Sequence, residues 1–300
     1  MEVELKHHFK GHAWSVYTFC KGLDGDDFYS GSADKFVGSW NIKTEEFNGP
    51  LVKGSGSIYA ILLEEKRQLL YVAQRDGVVL VVDLTKERPP KAIQAHDGDV
   101  FAISKDKEGR IFTGAGDGVL KVWTPDFDLL YAHKLSTKNI RSIHVSPYRE
   151  EFYVGISDHT ARVFDMKTIT QKQVLLGHDN SVFTIETLDE DRIITSGRDA
   201  MIFVWENKNG EWTTVKKIPA HNYTVNHLTL SPNQQFFASA GRDKTIKIWD
   251  AKTLDLLKVI DRSKFKDAHT HSVNRLLWFD DETLLSGGDD RKILSWHIEV

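Results

Sequence analysis

The chain of 300 residues contains a single cysteine, Cys20, and no long hydrophobic run. One cysteine cannot form a disulfide within the chain, which fits a reducing compartment. No stretch approaches the roughly 18 apolar residues that a membrane-spanning helix needs. Residues 1–12 also lack the apolar segment of a secretory signal. We therefore expect a cytoplasmic protein that has no membrane partner.

An excess of positive charge is missing as well. The 39 lysines and arginines are outnumbered by 43 acidic residues, so the formal net charge is −4. Proteins that bind nucleic acid non-specifically need a positive field that attracts the phosphates. The balance argues against DNA as a partner. It also disfavours RNA, although arginine and aromatic side chains can stack on RNA bases.

Aspartate recurs seven times at a spacing of 41 to 47 residues, and the sixth residue after it is usually tryptophan. The seven aspartates are Asp34, Asp76, Asp117, Asp158, Asp199, Asp243 and Asp290. A period near 40 residues filled with short apolar runs is typical of one four-stranded sheet repeated around an axis. The pattern predicts an all-β fold, a seven-bladed β-propeller of four-stranded antiparallel blades. Its units occupy nearly the whole chain, so we expect a single domain over residues 1–300.

The fifth unit illustrates the strands. Residues 181–185, 192–195, 200–205 and 212–218 are short segments rich in β-branched and aromatic residues. Turns containing Gly, Asp or Asn separate them, which indicates an antiparallel meander. No segment keeps a helical period of 3.6 residues for three turns.

Five of the seven units share three further positions. A histidine preceded by Gly or Ala opens the unit, an apolar residue follows it by four places, and Ser or Thr stands four places before the aspartate. With these residues in register, and with the segment Gly241–Asp250 (GRDKTIKIWD), the chain resembles the WD-repeat (G-protein beta-type) propeller family along its whole length. The resemblance implies that the rim carrying the histidine loops and aspartate turns is used for partners.

In that family the histidine, hydroxyl, aspartate and tryptophan form a buried chain of hydrogen bonds within each blade. A buried aspartate needs donors to stay ionised, and an indole N–H is only a donor, so it can end the chain. By resemblance the five structural networks are His12–Ser30–Asp34–Trp40, His96–Thr113–Asp117–Trp123, His178–Thr195–Asp199–Trp205, His221–Ser239–Asp243–Trp249 and His269–Ser286–Asp290–Trp296.

The second and fourth units keep the aspartate but lack its partners. At the histidine, hydroxyl and tryptophan positions they have Gly54, Val72 and Val82, and Ser136, Val154 and Phe164, respectively. We expect these two blades to depend on apolar packing.

The two ends of the chain complement each other. The last unit stops in its third strand, whereas residues 3–9 form an extended segment ahead of the first unit. We predict that this N-terminal strand completes the seventh blade and closes the ring. Such pairing removes an open sheet edge that would invite aggregation.

Two histidine-rich segments and the repeated Ser/His/Asp sets raise the question of chemistry. His269 and His271 share a segment, and three histidines lie within residues 7–12, but no cysteine or carboxylate stands at ligand spacing beside them, so no metal site is predicted. Five copies of Ser/His/Asp around a ring indicate structure instead of one catalytic triad. We therefore expect no catalytic residue and no cofactor. An enzyme or small-ligand binder at the central channel is the alternative.

A binding surface is the remaining candidate. The residue five places after each histidine position starts the innermost strand beside the channel, and the residue before each aspartate lies on the same rim. Aromatic residues and arginine, which are enriched in binding hot spots, recur at these positions. The aromatic side chains could instead plug the channel or pack on neighbouring blades. The predicted partner-binding residues of this top rim are Trp14, Tyr17, Tyr59, Arg75, Phe101, Arg141, Phe183, Arg198 and Arg242.

These residues predict a monomeric, non-enzymatic scaffold that binds a protein or peptide. Arginine beside aromatic residues favours a peptide that carries a carboxylate or phosphate.

Overall fold

The computed structural model describes residues 1–299, which form 28 strands joined by short connections and one 3-10 helix at Glu65–Arg67. The strands are β1 (Glu2–Phe9), β2 (Val16–Lys21), β3 (Asp27–Ser32), β4 (Phe36–Asn41), β5 (Phe47–Lys53), β6 (Ile58–Glu64), β7 (Leu69–Gln74), β8 (Val78–Asp83), β9 (Lys91–Gln94), β10 (Val100–Lys105), β11 (Ile111–Ala115), β12 (Val119–Trp123), β13 (Leu129–Lys134), β14 (Ile140–Val145), β15 (Glu151–Ile156), β16 (Ala161–Asp165), β17 (Gln171–Leu175), β18 (Val182–Thr187), β19 (Arg192–Gly197), β20 (Met201–Lys208), β21 (Glu211–Pro219), β22 (Val225–Leu230), β23 (Phe236–Gly241), β24 (Ile246–Asp250), β25 (Leu256–Ile260), β26 (Val273–Trp278), β27 (Thr283–Gly288) and β28 (Ile293–Glu299).

The strands form seven four-stranded antiparallel sheets, the blades. Blades one to six are runs of four consecutive strands from β2 to β25, and blade seven contains β26, β27, β28 and β1. The first strand of every blade contacts the first strands of its two neighbours, including β2 against β26, so the sheets form a closed ring around a channel. The prediction of an all-β, seven-bladed propeller is confirmed.

The antiparallel strands place the connections alternately on two sides of the ring. The loops that enter each first strand and the turns between second and third strands lie on one side, the top rim. The turns between first and second and between third and fourth strands lie on the opposite rim. The repeated histidines and aspartates therefore share the top rim.

Neighbouring blades pack closely because glycine replaces a side chain at the contact. A Cβ at Gly31 of blade one would lie 2.5 Å from Ile58 of blade two. A Cβ at Gly287 of blade seven would lie 2.8 Å from Val16 of blade one. Only a residue without a side chain lets the apolar start of the next blade approach to this distance.

The first strand of the chain closes the ring. Strand β1 pairs antiparallel with β28, so that Leu5 faces Trp296 and Phe9 faces Ile293. The ring of Phe9 is buried and makes edge contacts with the rings of Phe28 and Trp40 in blade one, at centroid distances of 5.1 and 5.9 Å. Phe9 thus joins blade seven to the core of blade one. The predicted closure by the N-terminal strand is confirmed.

Removing this contact should destabilise the whole ring. We expect Phe9→Ala to lower the free energy of unfolding by about 3–5 kcal/mol, the usual cost of truncating a buried aromatic residue, as measured by urea unfolding. Deletion of residues 1–9 should cause unfolding or aggregation, because the edge of β28 becomes exposed. The exposed neighbour Lys10 supplies the control, Lys10→Ala, which should change stability little. A soluble deletion variant with an unchanged melting temperature would contradict this account.

Candidate binding site on the top rim

Hydrogen-bonded chains connect the loops of the top rim to the interior of five blades. In blade five, Nδ1 of His178 lies 2.7 Å from a carboxylate oxygen of Asp199. Its Nε2 lies 2.7 Å from the hydroxyl of Thr195, which also accepts the indole N–H of Trp205 at 2.8 Å. The equivalent residues of blades one, three, six and seven are joined at 2.7 to 3.0 Å.

The order of contacts assigns the donors. The indole N–H can only donate, so the hydroxyl accepts it, and an ionised carboxylate can only accept, so the imidazole donates its Nδ1–H to the aspartate. In blade one, Asp34 also accepts the backbone N–H of Ala13 at 2.9 Å and that of Phe36 at 3.0 Å. The carboxylate therefore fastens the loop before β2 to the turn between β3 and β4.

The same bonds keep these aspartates ionised. Burial alone would raise the pKa of Asp117, but hydrogen bonds from His96 and from the backbone N–H groups of Val119 and Asp97 outweigh it and hold the pKa at about 2. The balance is similar at Asp290, whose pKa is about 2.

Blades two and four use other polar groups in place of the histidine chain. In blade two the fully buried side chain of Gln74 lies over Gly54 and accepts the N–H of Gly56 at 3.1 Å. In blade four the guanidinium of Arg162 lies 2.8 Å from Asp158. The expectation that these blades depend on apolar packing was therefore incomplete, because a single sequence does not show which side chain occupies the vacated space.

A β-bulge shapes the mouth of the channel in every blade. The pairing of the first strand with the second shifts by one residue near its start in all seven blades, for example between Val273 and Arg275. A bulge places two residues opposite one and re-aims a side chain. The seven bulged residues are Tyr17, Tyr59, Phe101, Arg141, Phe183, Asn226 and Asn274.

Five of the predicted partner-binding residues meet at this mouth. The rings of Tyr17 and Tyr59 are 5.3 Å apart, and those of Tyr59 and Phe101 are 5.2 Å apart. The guanidinium of Arg141 lies 4.1 Å from the ring centre of Phe101 and 4.7 Å from that of Phe183. The aromatic side chains and Arg141 thus form one continuous arc to which five of the seven blades contribute.

The other four predicted residues, Trp14, Arg75, Arg198 and Arg242, are exposed on the top rim and do not line the mouth. Trp14 is 60% exposed, and the guanidinium of Arg291 lies 5.5 Å from its ring centre.

The mouth is a cavity of about 420 Å³. Besides the arc it is lined by Asp99, Asn226, Asn274 and Arg275. Asp99 and Arg275 were missed by the sequence analysis, which counted one residue from each first strand. The bulge lets the next residue, Arg275, face the channel too, and no local sequence signal marks a bulge.

Below the mouth, the channel contains a second cavity of about 230 Å³. His144 Nε2 lies 3.5 Å from Glu186 in its wall. Burial raises the pKa of Glu186, an effect that His144 opposes, and burial lowers the pKa of His227 well below its ordinary value. Burial also lowers the pKa of Arg275, to about 10, so this side chain remains a cation at neutral pH.

The arginines of the two rims differ in their partners. On the opposite rim, Arg67, Arg110 and Arg192 lie 2.5 to 2.7 Å from carboxylate oxygens. On the top rim Arg162 is paired in blade four. Within residues 1–299, no carboxylate stands at ion-pair distance from the remaining top-rim and channel arginines, namely Arg75, Arg141, Arg198, Arg242, Arg262, Arg275 and Arg291.

Two further features of the described part of the chain bear on possible ligands. No three His, Cys, Asp or Glu side chains within residues 1–299 are arranged to hold a metal ion. Over the same residues, no helix has the length and hydrophobicity needed to cross a membrane.

Comparison with protein families gives a match over half of the chain. The family model described as WD domain, G-beta repeat, matches residues 87–124, 169–206, 212–250 and 262–297. Among solved structures, the crystal structure of the WD40 beta propeller domain of Doa1 is similar, with a TM-score of 0.86 and 21% identity. That match covers 99% of this chain and 97% of the other, and it shows the fold.

Curated relatives are distant. WD repeat domain-containing protein 83 homolog of Dictyostelium discoideum is 20% identical over 82% of this chain and 72% of its own length. The p21-activated protein kinase-interacting protein 1-like of Danio rerio is 29% identical over 43% of this chain and 33% of its own length. Elongator complex protein 2 of Schizosaccharomyces pombe is 32% identical over 45% of this chain but only 19% of its own length. The matched region thus spans a third or less of the last two relatives.

The buried carboxylates should make the free energy of unfolding depend on pH in the acidic range. The folded-state pKa of Asp117 is about 2, against about 3.9 in an unfolded chain. Its carboxylate therefore stabilises the fold above pH 4, and this contribution is lost as pH falls from about 4 to about 2. We expect Asp117→Asn to lower the free energy of unfolding at pH 7 by about 1.5–3 kcal/mol and to make its decline below pH 4 shallower, as measured by urea unfolding across that range.

Asp76→Asn is the matched control, because Asp76 occupies the same turn in a blade that lacks the histidine. Its effect should be smaller. Identical pH profiles for the wild type and Asp117→Asn would contradict the assignment.

Proposed function

The chain belongs to the WD domain, G-beta repeat family, and we propose that it is a scaffold that binds a protein or peptide on its top rim. The proposal favours a ligand that is acidic or phosphorylated. The observation that carries it is the set of unpaired arginines beside the aromatic arc on this rim. Two of the relatives are named as an interacting protein and as a component of a complex, which supports a protein partner in general.

Charge distribution supports the choice of rim. An arginine that already holds a carboxylate has little left for a partner, and this describes Arg67, Arg110 and Arg192 on the opposite rim. Arg75, Arg198 and Arg242 are exposed, and their guanidinium groups have no such partner within residues 1–299. The planar guanidinium recognises carboxylate and phosphate through two parallel hydrogen bonds. An acidic ligand would supply the missing acceptors.

The aromatic residues support a binding surface of defined shape. The ring of Tyr59 is in contact with those of Tyr17 and Phe101, and all three residues are only partly buried. Aromatic side chains held by their neighbours lose little conformational entropy when a ligand covers them. Such residues combine with arginine in the hot spots of protein interfaces.

We propose that the protein binds a partner and that its Ser/His/Asp sets are not catalytic. The hydroxyl residues Ser30, Thr113 and Thr195 are completely buried, as are their counterparts Ser239 and Ser286. A nucleophile must reach a substrate and lie beside an oxyanion hole. Inside the blade, each hydroxyl is instead hydrogen-bonded to an imidazole and to an indole.

Binding should depend on exposed top-rim side chains. We expect the triple variant Trp14→Ala, Arg198→Ala and Arg242→Ala to bind acidic and phosphorylated peptides at least tenfold more weakly than the wild type, because it removes the exposed aromatic and two unpaired cations. Binding is measured on an array that contains each peptide with and without its phosphate or carboxylates. These side chains are exposed, so the melting temperature should change little.

The matched control is Tyr148→Ala, Arg67→Ala and Arg192→Ala, which removes one exposed aromatic residue and two arginines from the opposite rim. It should bind like the wild type, since surface ion pairs contribute little to stability. Equal losses in both triples, or no preference of the wild type for acidic peptides, would refute the proposal.

A further inference from the structure

Two cations stand where the mouth joins the channel. Arg141 and Arg275 line both the 420 Å³ mouth and the 230 Å³ cavity below it. They come from the first strands of blades four and seven, β14 and β26. No other lysine or arginine lines either cavity within residues 1–299. The junction therefore concentrates fixed positive charge in a confined space.

Neither guanidinium forms an ion pair with a carboxylate within residues 1–299. Arg141 lies between two aromatic rings, and its buried Nε has no hydrogen-bond acceptor within residues 1–299. Arg275 likewise has no ion-pair partner among these residues. The faces of aromatic rings stabilise a cation, but they accept no conventional hydrogen bond. Both side chains line the cavities without an ion-pair partner within residues 1–299, so their guanidinium groups suit a ligand that brings acceptors.

Each cavity also contains one carboxyl group, and neither group lies within ion-pair distance of Arg141 or Arg275, although the charge of Asp99 acts on Arg141 and that of Glu186 acts on Arg275. Asp99 lines the mouth. Glu186 lies beside His144 in the lower cavity, and burial favours its neutral form. The amide nitrogen atoms of Asn226 and Asn274 donate to other protein groups, including Ser272 at 2.8 Å. Their oxygen atoms are left as acceptors for hydroxyl or N–H groups of a ligand.

We infer that the junction of Arg141 and Arg275 is a binding site for a phosphate monoester. A phosphate monoester carries nearly two negative charges at neutral pH and three terminal oxygen atoms, enough acceptors for two guanidinium groups. Phe101 and Phe183 hold the side chain of Arg141 in place, so it loses little conformational entropy when a ligand binds. The aromatic arc covers the organic part of the ester. The lower cavity of 230 Å³ has room for a ligand larger than a single water molecule, which needs roughly 10–15 Å³.

This inference deepens the proposed function but does not need the exposed rim residues. The ester comes either from a free small molecule or from a phosphorylated side chain of a peptide. Phenyl phosphate represents the first source and a phosphotyrosine peptide the second. Both place the same chemical group at the junction.

The test follows the side-chain amide NMR signals of Asn226 and Asn274 during titration of the wild-type protein with phenyl phosphate. We expect saturable shifts of both signals, and at least tenfold weaker binding in Arg275→Met and in Arg141→Met. Arg192→Gln, which removes an ion-paired arginine from the opposite rim, should bind like the wild type. Tighter binding of the phosphotyrosine peptide than of phenyl phosphate assigns the site to a peptide, and the reverse assigns it to a free small molecule.

The absence of a saturable shift in the wild type overturns the inference, and this result does not depend on the folding of any variant. Binding that survives both Arg275→Met and Arg141→Met overturns it too. The proposed function fails separately, when the triple variant of Trp14, Arg198 and Arg242 keeps its peptide binding.

Discussion

The hydrogen bond between an imidazole and a carboxylate is the contact on which the top rim depends. In blade five, Asp199 lies in the turn between β19 and β20, and His178 lies in the loop that enters β18. Their bond, extended through Thr195 to Trp205, fastens two connections between strands to the blade interior. A loop residue otherwise has to be ordered when a ligand binds, at a cost in conformational entropy. Because the imidazole and carboxylate already hold these loops, the neighbouring Arg198 is presented from an ordered position.

Ring closure and the bulges convert seven separate blades into one site. Phe9 crosses from blade seven to the core of blade one and joins these two blades. The bulge at the start of each first strand then directs one residue per blade to the mouth. Blades that differ in their internal hydrogen bonds still contribute equivalently, as Tyr59 of blade two and Arg141 of blade four show. The site is therefore a product of the ring, and no single blade contains it.

Much of this architecture follows from the sequence, because repetition and alternation are local signals. The spacing of the aspartates predicts the blades, and an unpaired last strand predicts the role of residues 3–9. The residues that line the mouth are harder to predict from the sequence. Arg275 directly follows Asn274, which faces the channel. Strict alternation along a strand would point the Arg275 side chain away from the channel, but the bulge breaks that alternation. Gln74 fills the space above Gly54, yet nothing in the sequence connects two residues that are twenty positions apart.

The net charge of the chain is a poor guide to the local charge of its top rim. A value of −4 argues against a long nucleic acid, since that interaction sums over many phosphates along an extended surface. A single anionic group responds to charges within about one Debye length, roughly 8 Å at physiological ionic strength. At that range, whether each arginine already has a carboxylate partner matters more than the net charge of the whole protein. Acidic side chains neutralise Arg67, Arg110 and Arg192 on the opposite rim, whereas the unpaired arginines of residues 1–299 lie on the top rim and in the channel. A protein that is acidic overall can therefore still have arginines without a carboxylate partner around the mouth of its channel, as Arg141 and Arg275 show within residues 1–299.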